Sequence, residues 1–368
     1  MRLNLFASSR FHFFSLTILV AGITWAPIRG AGPAGPVEDA FPPPEKTRAD
    51  EPLAKTVSMA KGAEYIDRAA IAWLHRQNCS SCHSSYSQVM ARAVLGDLKA
   101  PALARIKGFM EERVAGWDRG GPGKGFPAEE DEAATEVVAT AVTLAFHDGA
   151  TGGRLGPITR KALDRMWTLQ RADGSWNWNK HDLPPQELDE YYGAVFAAVG
   201  VGQAPEGYSK DKSALEGVER LRKFLRENPP PNLHHQTMLL WASHKLDGLL
   251  EPMGREKIKA RLLDIQRKDG GWNLPSLGGW KRMDGTPNDP NGPSDGYATG
   301  LVTYVLIVTG TKPDDPALTK SLAWLRNNQR ESGRWFTRSV NADHAHYITN
   351  AGTAYALMAL KVADGLRP

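Results

Sequence analysis

The chain has only two cysteines in 368 residues, Cys79 and Cys82, two residues apart. That scarcity excludes a disulfide-stapled scaffold and leaves no thiols for a knuckle-type zinc site. An excess of one charge is also missing. The formal net charge is +4, and no dense lysine–arginine stripe marks a nucleic-acid partner. Beyond residue 30 there is no apolar run long enough to span a bilayer. Nor is there a βαβ pattern around the C-x-x-C pair, which removes the thioredoxin-like reading.

What is present begins with Cys79-Ser-Ser-Cys82-His83, the attachment pattern of one covalent haem c. Its thiols add across the haem vinyl groups, and the adjacent imidazole becomes an axial ligand of the iron. The competing reading is a chance C-x-x-C beside a histidine, closing a local disulfide or forming part of a metal site. Residues 1–30 read as a secretory signal peptide: Arg2 and Arg10 are basic, Phe11 to Ala26 is mostly apolar, and Gly30-Ala31-Gly32 suits cleavage. An uncleaved anchor is the rival, although the run is short for a span. Residues 31–58, rich in proline from Pro33 to Pro44, read as a flexible tether, and residues 59–368 as one domain. The expected location is periplasmic or otherwise exported, with no transmembrane domain once the signal is removed.

A repeat runs through the second half. Gln170-Arg-Ala-Asp-Gly174-Ser-Trp176 returns as Gln266 to Gly270 to Trp272 and as Gln329 to Gly333 to Trp335. Each copy follows an amphipathic stretch and precedes one rich in small and apolar residues: Tyr192 to Val201, Tyr297 to Val308 and Tyr347 to Val362. The glycine can end a helix in the left-handed region. The tryptophan can cover the turn, and the glutamine can bind backbone groups at the helix end. Degenerate copies follow: Leu215 to Arg226 with Thr237 to Leu249, Leu103 to Ala115 with Ala134 to His147, and the C-x-x-C-H segment followed by Gln88 to Leu98. Helical hairpins that cannot bury their own faces stack. The spacing predicts an all-α fold, a closed α/α toroid of about six hairpins with inner and outer helix rings.

The three Gln…Gly…Trp motifs resemble those of the superfamily of squalene–hopene cyclases, other terpenoid cyclases and protein prenyltransferase β subunits, over roughly residues 60 to 365. The resemblance implies a chamber inside the inner helices, with functional groups near their starts, and an apolar or isoprenoid ligand as a possible partner. It does not bring the family's chemistry. No Asp-x-Asp-Asp motif is present; Asp314-Asp315 reads as a helix cap and Glu129 to Glu132 as a solvated run at a helix start. With both cysteines committed to haem, the prenyltransferase zinc set cannot form.

On that placement Tyr86, Asp189, Glu190, Tyr191, Tyr192, His234, His235, Asp295, Tyr297, His344, His346 and Tyr347 fall at inner-helix starts. His83 is the first expected iron ligand. His235 and His346 are the candidates for the second, with His234 and His344 as neighbours. The expected function is electron transfer or redox chemistry at haem, with an unidentified redox partner protein. The alternatives are a peroxidase-like or sensing haem with an open iron site, His235 or His346 then serving as distal base, and a degenerate cyclase that binds isoprenoid. The long stretch from Leu274 to Asp295 reads as an ordered loop over one end of the ring, with calcium a candidate for its acidic residues, although their spacing fits no EF-hand.

Overall fold

In the computed structural model, residues 41–119, 130–312 and 314–366 are described. The chain folds into hairpins, each an outer helix followed by an inner one. They pair α1 (Met59–Gln77) with α2 (Ser85–Leu95), α3 (Pro101–Gly116) with α4 (Glu130–Ala150), and α5 (Pro157–Thr168) with α6 (Glu190–Gln203). Then come α7 (Leu215–Glu227) with α8 (Leu233–Ala242), α9 (Pro252–Asp264) with α10 (Gly296–Val308), and α11 (Pro316–Asn327) with α12 (Ile348–Gly365). Outer helices bury one stripe, as α7 does with Gly217, Val218, Leu221 and Leu225. Inner helices are buried all round; every residue of α10 from Gly296 to Ile307 is buried. Along the inner layer α2 packs on α4, α4 on α6, α6 on α8, α8 on α10, α10 on α12, and α12 back on α2. The ring is therefore closed, as the repeat spacing predicts.

The repeated motif works through three bonds. Gly174, Gly270 and Gly333 sit at φ of 95°, 92° and 94°, a region open to glycine. The indole N–H of Trp176, Trp272 and Trp335 donates to the carbonyl ten residues earlier, at 2.8, 2.7 and 2.7 Å. That satisfies a carbonyl left free at the end of the outer helix. The glutamine amide then spans two repeats. Gln170 donates to Gly174 and to Gly217 in α7, and Gln266 to Gly270 and to Ala317 in α11. Gln329 donates to Gly333 and to Ser58, the cap of α1, which joins the last hairpin to the first. In the first hairpin Asn78 takes the left-handed position, with φ of 50°. Asp315 caps α11 as expected, accepting from the Ala317 N–H. Glu130, Asp131 and Glu132 occupy the first turn of α4, and Glu129 lies outside the described residues.

Two expectations change. The described part of the proline-rich segment, residues 41–58, is not a free tether. Glu51 accepts from the buried Arg334, its carbonyl accepts from Arg330, and Ala54 donates to the Gln329 carbonyl. The segment is a strap across the seam where the ring closes. The signal peptide, residues 1–30, lies outside the described residues. Among the described residues no helix is long and apolar enough to cross a membrane.

The second change is the chamber. Trp241 on α8 meets Phe146 on α4, Tyr304 on α10 and Tyr355 on α12, with ring centroids 5.9, 5.3 and 6.1 Å apart. Helices that are not neighbours in the ring thus touch across its axis. The void beside Tyr86, Met90, Tyr192, Phe196 and Tyr355 measures about 10 Å³, the space of one water. Aromatic side chains large enough to wall a chamber instead fill it, and an isoprenoid has no room there.

One buried ion pair locks α1 to α2. Asp67 accepts from the Arg92 guanidinium on both carboxylate oxygens and from Gln88 at 2.7 Å. Asp67 is only 2% exposed, so Arg92→Ala should leave a buried carboxylate unpaired and cost about 3–5 kcal/mol. Arg92→Met combined with Asp67→Leu should cost clearly less. Urea denaturation midpoints check the pair.

Candidate functional site

All six inner helices start at one end of the ring, and polar residues collect there because helix starts need caps. Asp189, Asn232 and Asp295 cap α6, α8 and α10, accepting from the N–H groups of Tyr192, His235 and Ala298. These caps carry further bonds. The Asn232 carbonyl oxygen accepts from both the backbone N–H and the ring Nδ1–H of His235, at 3.0 and 2.7 Å. The cap bond orients that amide, so Nδ1 must donate. The other nitrogen, Nε2, lies 3.1 Å from Asp189 Oδ1. A fully buried imidazole is thus held between an amide and a carboxylate. Burial alone would raise the Asp189 carboxyl. The hydrogen bond and charge of His235, with backbone N–H groups of Tyr192 and Tyr191, outweigh it and hold Asp189 below the usual carboxylate range.

The segment before Asp189 lies between α6 and the first hairpin. Gln186 donates to the Cys82 carbonyl at 3.3 Å and accepts from the Trp178 indole at 2.8 Å. Glu187 pairs with Leu183 in a short antiparallel bridge, and its carboxyl faces the Cys82 thiol. Burial pushes Glu187 above the usual range, more strongly than His181 and the Cys82 thiol pull it down. Two carboxyl groups, two residues apart, therefore sit in opposite environments. A groove of about 1060 Å³, lined by neither carboxyl, starts at Asn232 and runs between Arg261, Gln266, Lys268 and Gly278.

The other side of this end holds the C-x-x-C-H turn. Cys79 and Cys82 are free thiols, and burial raises both above the ordinary cysteine range, Cys82 far above it. The His83 ring lies edge-on to Trp73 at 4.5 Å and stacked with Tyr347 at 5.2 Å. Its Nε2 is shielded from solvent and has no hydrogen-bond partner.

The expected second iron ligands are not poised for iron. His235 has both ring nitrogens engaged, by Asn232 and Asp189. His346 accepts the Ser339 N–H on Nδ1 at 3.0 Å, so its lone pair is used. His234 is fully buried, 3.0 Å from the Tyr297 hydroxyl through Nε2, and burial holds it neutral. Among the described residues no group of three or more His, Cys, Asp or Glu could hold a metal ion. The loop from Leu274 to Asp295 is ordered as expected, but its acids serve the loop. Asp284 accepts from Thr286 and Arg282, and Asp289 from the Asn291 N–H. Arg282, with no exposed side chain, pins the loop to Ser339 and Asp343. Calcium finds no free acidic cluster there.

Glu187 and Asn232 were not among the residues singled out from sequence. Asn232 was detectable as a polar residue before the apolar start of α8. Glu187 was not, because nothing in Pro-Pro-Gln-Glu-Leu-Asp-Glu tells which carboxylate turns inward.

No protein-family profile and no curated protein matches the chain. Comparison with solved structures returns 27 chains. One is a glycosidase variant, 11% identical, with a TM-score of 0.49 over 84% of this chain and 98% of its own. Another is a glycosidase variant in complex with glucose, 11% identical, with a TM-score of 0.47 over the same shares. A third is a possible member of the GH105 family from Klebsiella pneumoniae subsp. pneumoniae MGH 78578, 12% identical, with a TM-score of 0.44 over 78% of this chain and 84% of its own. The proteins so named are glycosidases and a possible GH105-family member, not terpenoid cyclases or prenyltransferases, and the expected cyclase kinship is corrected accordingly. Electron transfer at haem is corrected with it, and so are the peroxidase-like and isoprenoid-binding alternatives. The first two looked to His235 or His346 for iron or for a distal proton, and both rings are engaged by protein groups; the third needs a chamber that the aromatic axis fills.

Proposed function

We propose that the inner-helix-start end of the ring is an acid–base site that hydrolyses a glycosidic bond, with Glu187 as proton donor and Asp189 as base. The observation that carries this reading is the pair itself. Glu187 and Asp189 stand two residues apart in the segment that leads into α6. One faces a buried thiol and the other a buried imidazole. Carboxyl groups pushed apart in acidity can divide acid and base duties. Glycosidic hydrolysis with an activated water uses two carboxyl groups, one as acid and one as base. Glu187 would give its proton to the leaving oxygen while Asp189 takes one from the water that adds to the anomeric carbon. The groove beginning at Asn232, with its mixed amide, guanidinium and ammonium lining, suits a ligand rich in hydroxyl groups.

The test is a panel of 4-nitrophenyl glycosides and neutral and acidic oligosaccharides, with reducing ends counted. At least one member should turn over. The pH profile should be bell-shaped, because Asp189 must be ionised and Glu187 protonated. The acid limb should fall below the ordinary carboxylate range, since Asp189 is lowered; the alkaline limb should fall above it, since Glu187 is raised. No turnover across the panel, or a profile without the alkaline limb, overturns the reading.

A further inference from the structure

A second opening sits beside the start of α12. We propose that this slot, between α1, α12 and the strap at residues 43–47, binds a small organic oxyanion: a phosphate or sulfate ester carried on a single sugar or aryl ring. Neither Glu187 nor Asp189 lines the slot, and the inference does not depend on the hydrolytic reading.

The slot measures about 340 Å³ and opens to solvent. Small-molecule sites begin at about 300 Å³, so one ring and its substituent is the size it takes. Its strap wall is fixed before any ligand arrives. Arg68 donates to the Pro42 and Pro43 carbonyls at 2.8 and 3.1 Å. The buried Arg334 donates to the Glu45 and Lys46 carbonyls at 2.8 and 3.3 Å. A wall held in this way loses little freedom when a ligand binds. Trp73 and Tyr347, edge-on to each other at 5.5 Å, supply the aromatic lining. Tyr347 is 43% exposed, so part of its ring is left in water beside the slot. The flat face of a second ring can cover it.

The polar lining holds donors that the protein leaves unused. Arg76 engages only its Nε, on the Ala72 carbonyl at 3.2 Å. The Lys46 ammonium has no hydrogen-bond or ion-pair partner among the described residues. Asn350 accepts from the Tyr65 hydroxyl through Oδ1 at 2.8 Å, which fixes the amide and leaves its N–H groups for the slot. His346 accepts the Ser339 N–H on Nδ1, so the proton of the neutral ring sits on Nε2. Burial lowers His346 and the Asp343 carboxylate only partly offsets it, so the neutral form prevails at pH 7. Two cations, an amide and a neutral imidazole N–H therefore line one small cavity, against the single carboxylate of Glu45. A bare metal cation would face two like charges there. A tetrahedral oxyanion answers the cations with charge and presents several oxygens to separate donors. Glu45 is then left to accept from a hydroxyl of the ring.

The test is isothermal titration calorimetry on the full chain near neutral pH and at low salt. The probes are phenyl phosphate, phenyl sulfate, glucose 6-phosphate and glucose 6-sulfate, with phenol, glucose and inorganic phosphate for comparison. At least one ester should bind one-to-one, more tightly than inorganic phosphate, and should weaken as salt is added. Which esters bind separates phosphate from sulfate and sugar from aryl. Arg76→Gln and Lys46→Gln should each weaken that ester by about tenfold, the usual loss of one charge-assisted bond. Both residues are exposed, so thermal midpoints should stay at the parent value and show that the variants fold. Binding of no ester overturns the inference. So does phenol, glucose or inorganic phosphate binding as tightly as the esters, or an affinity unchanged in both variants. The glycoside panel, run on the same preparations, reports on hydrolysis separately.

Discussion

Glu187→Gln should lower glycoside turnover by about 10²–10⁴-fold, the range for loss of a positioned proton donor. At 1.36 kcal/mol per decade this is at least roughly 2.7 kcal/mol of transition-state stabilisation. The substitution keeps the size and polarity of the side chain beside Cys82, so the ring should fold unchanged. The deficit should shrink for substrates whose leaving group needs no proton, such as 2,4-dinitrophenyl glycosides. Asp189→Asn should cost as much, but without that rescue, because the water still needs a base. Asparagine is also a good cap, so its carbonyl can accept from the Tyr192 N–H and α6 should remain intact. The Tyr192 N–H and His235 Nε2 meet the same oxygen, Oδ1, so an asparagine carbonyl there keeps the cap while the charge is lost. Equal losses on activated and unactivated substrates for Glu187→Gln would remove Glu187 as the acid. Unchanged kcat in Asp189→Asn would reduce the Asp189–His235 pair to a structural cap.

The second large effect concerns stability. Gly333→Ala should destabilise the ring by about 3 kcal/mol or more, a large fraction of the 5–15 kcal/mol of a typical domain. Two costs combine. The residue sits at φ of 94°, where a β-carbon is strained by about 1–2 kcal/mol. A β-carbon there would also stand 2.3 Å from the Lys61 carbonyl oxygen of α1, which belongs to the backbone and cannot turn away. Gly310 separates the two. Its φ is 92°, yet nothing lies within 4 Å of the added carbon, so Gly310→Ala should show the backbone cost alone. Comparing denaturation midpoints measures the contact across the closing seam. If the two variants are equally unstable, the motif glycine serves only its own turn.

Much of the fold was legible before any coordinates. The Gln…Gly…Trp copies report helix ends, left-handed turns and covered carbonyls, all of which depend on residues within about ten positions of one another. Hence the hairpin count and the inner and outer roles agree with the structure. The candidate site was legible only in part. Asp189, His235, Asp295 and Tyr297 were placed at inner-helix starts because caps are local. Whether His235 was free for a metal was not readable, since Asp189 lies on another hairpin.

The sequence by itself determined the hairpins, their order and the end at which polar caps collect, because helix periodicity and capping are set by neighbours along the chain. Tertiary structure alone decided that the ring's axis is full, that His235 is tied to Asp189, and that Glu187 and Asp189 differ in acidity. Those outcomes depend on which side chains meet across the ring and how much water they exclude, and sequence separation carries no record of either.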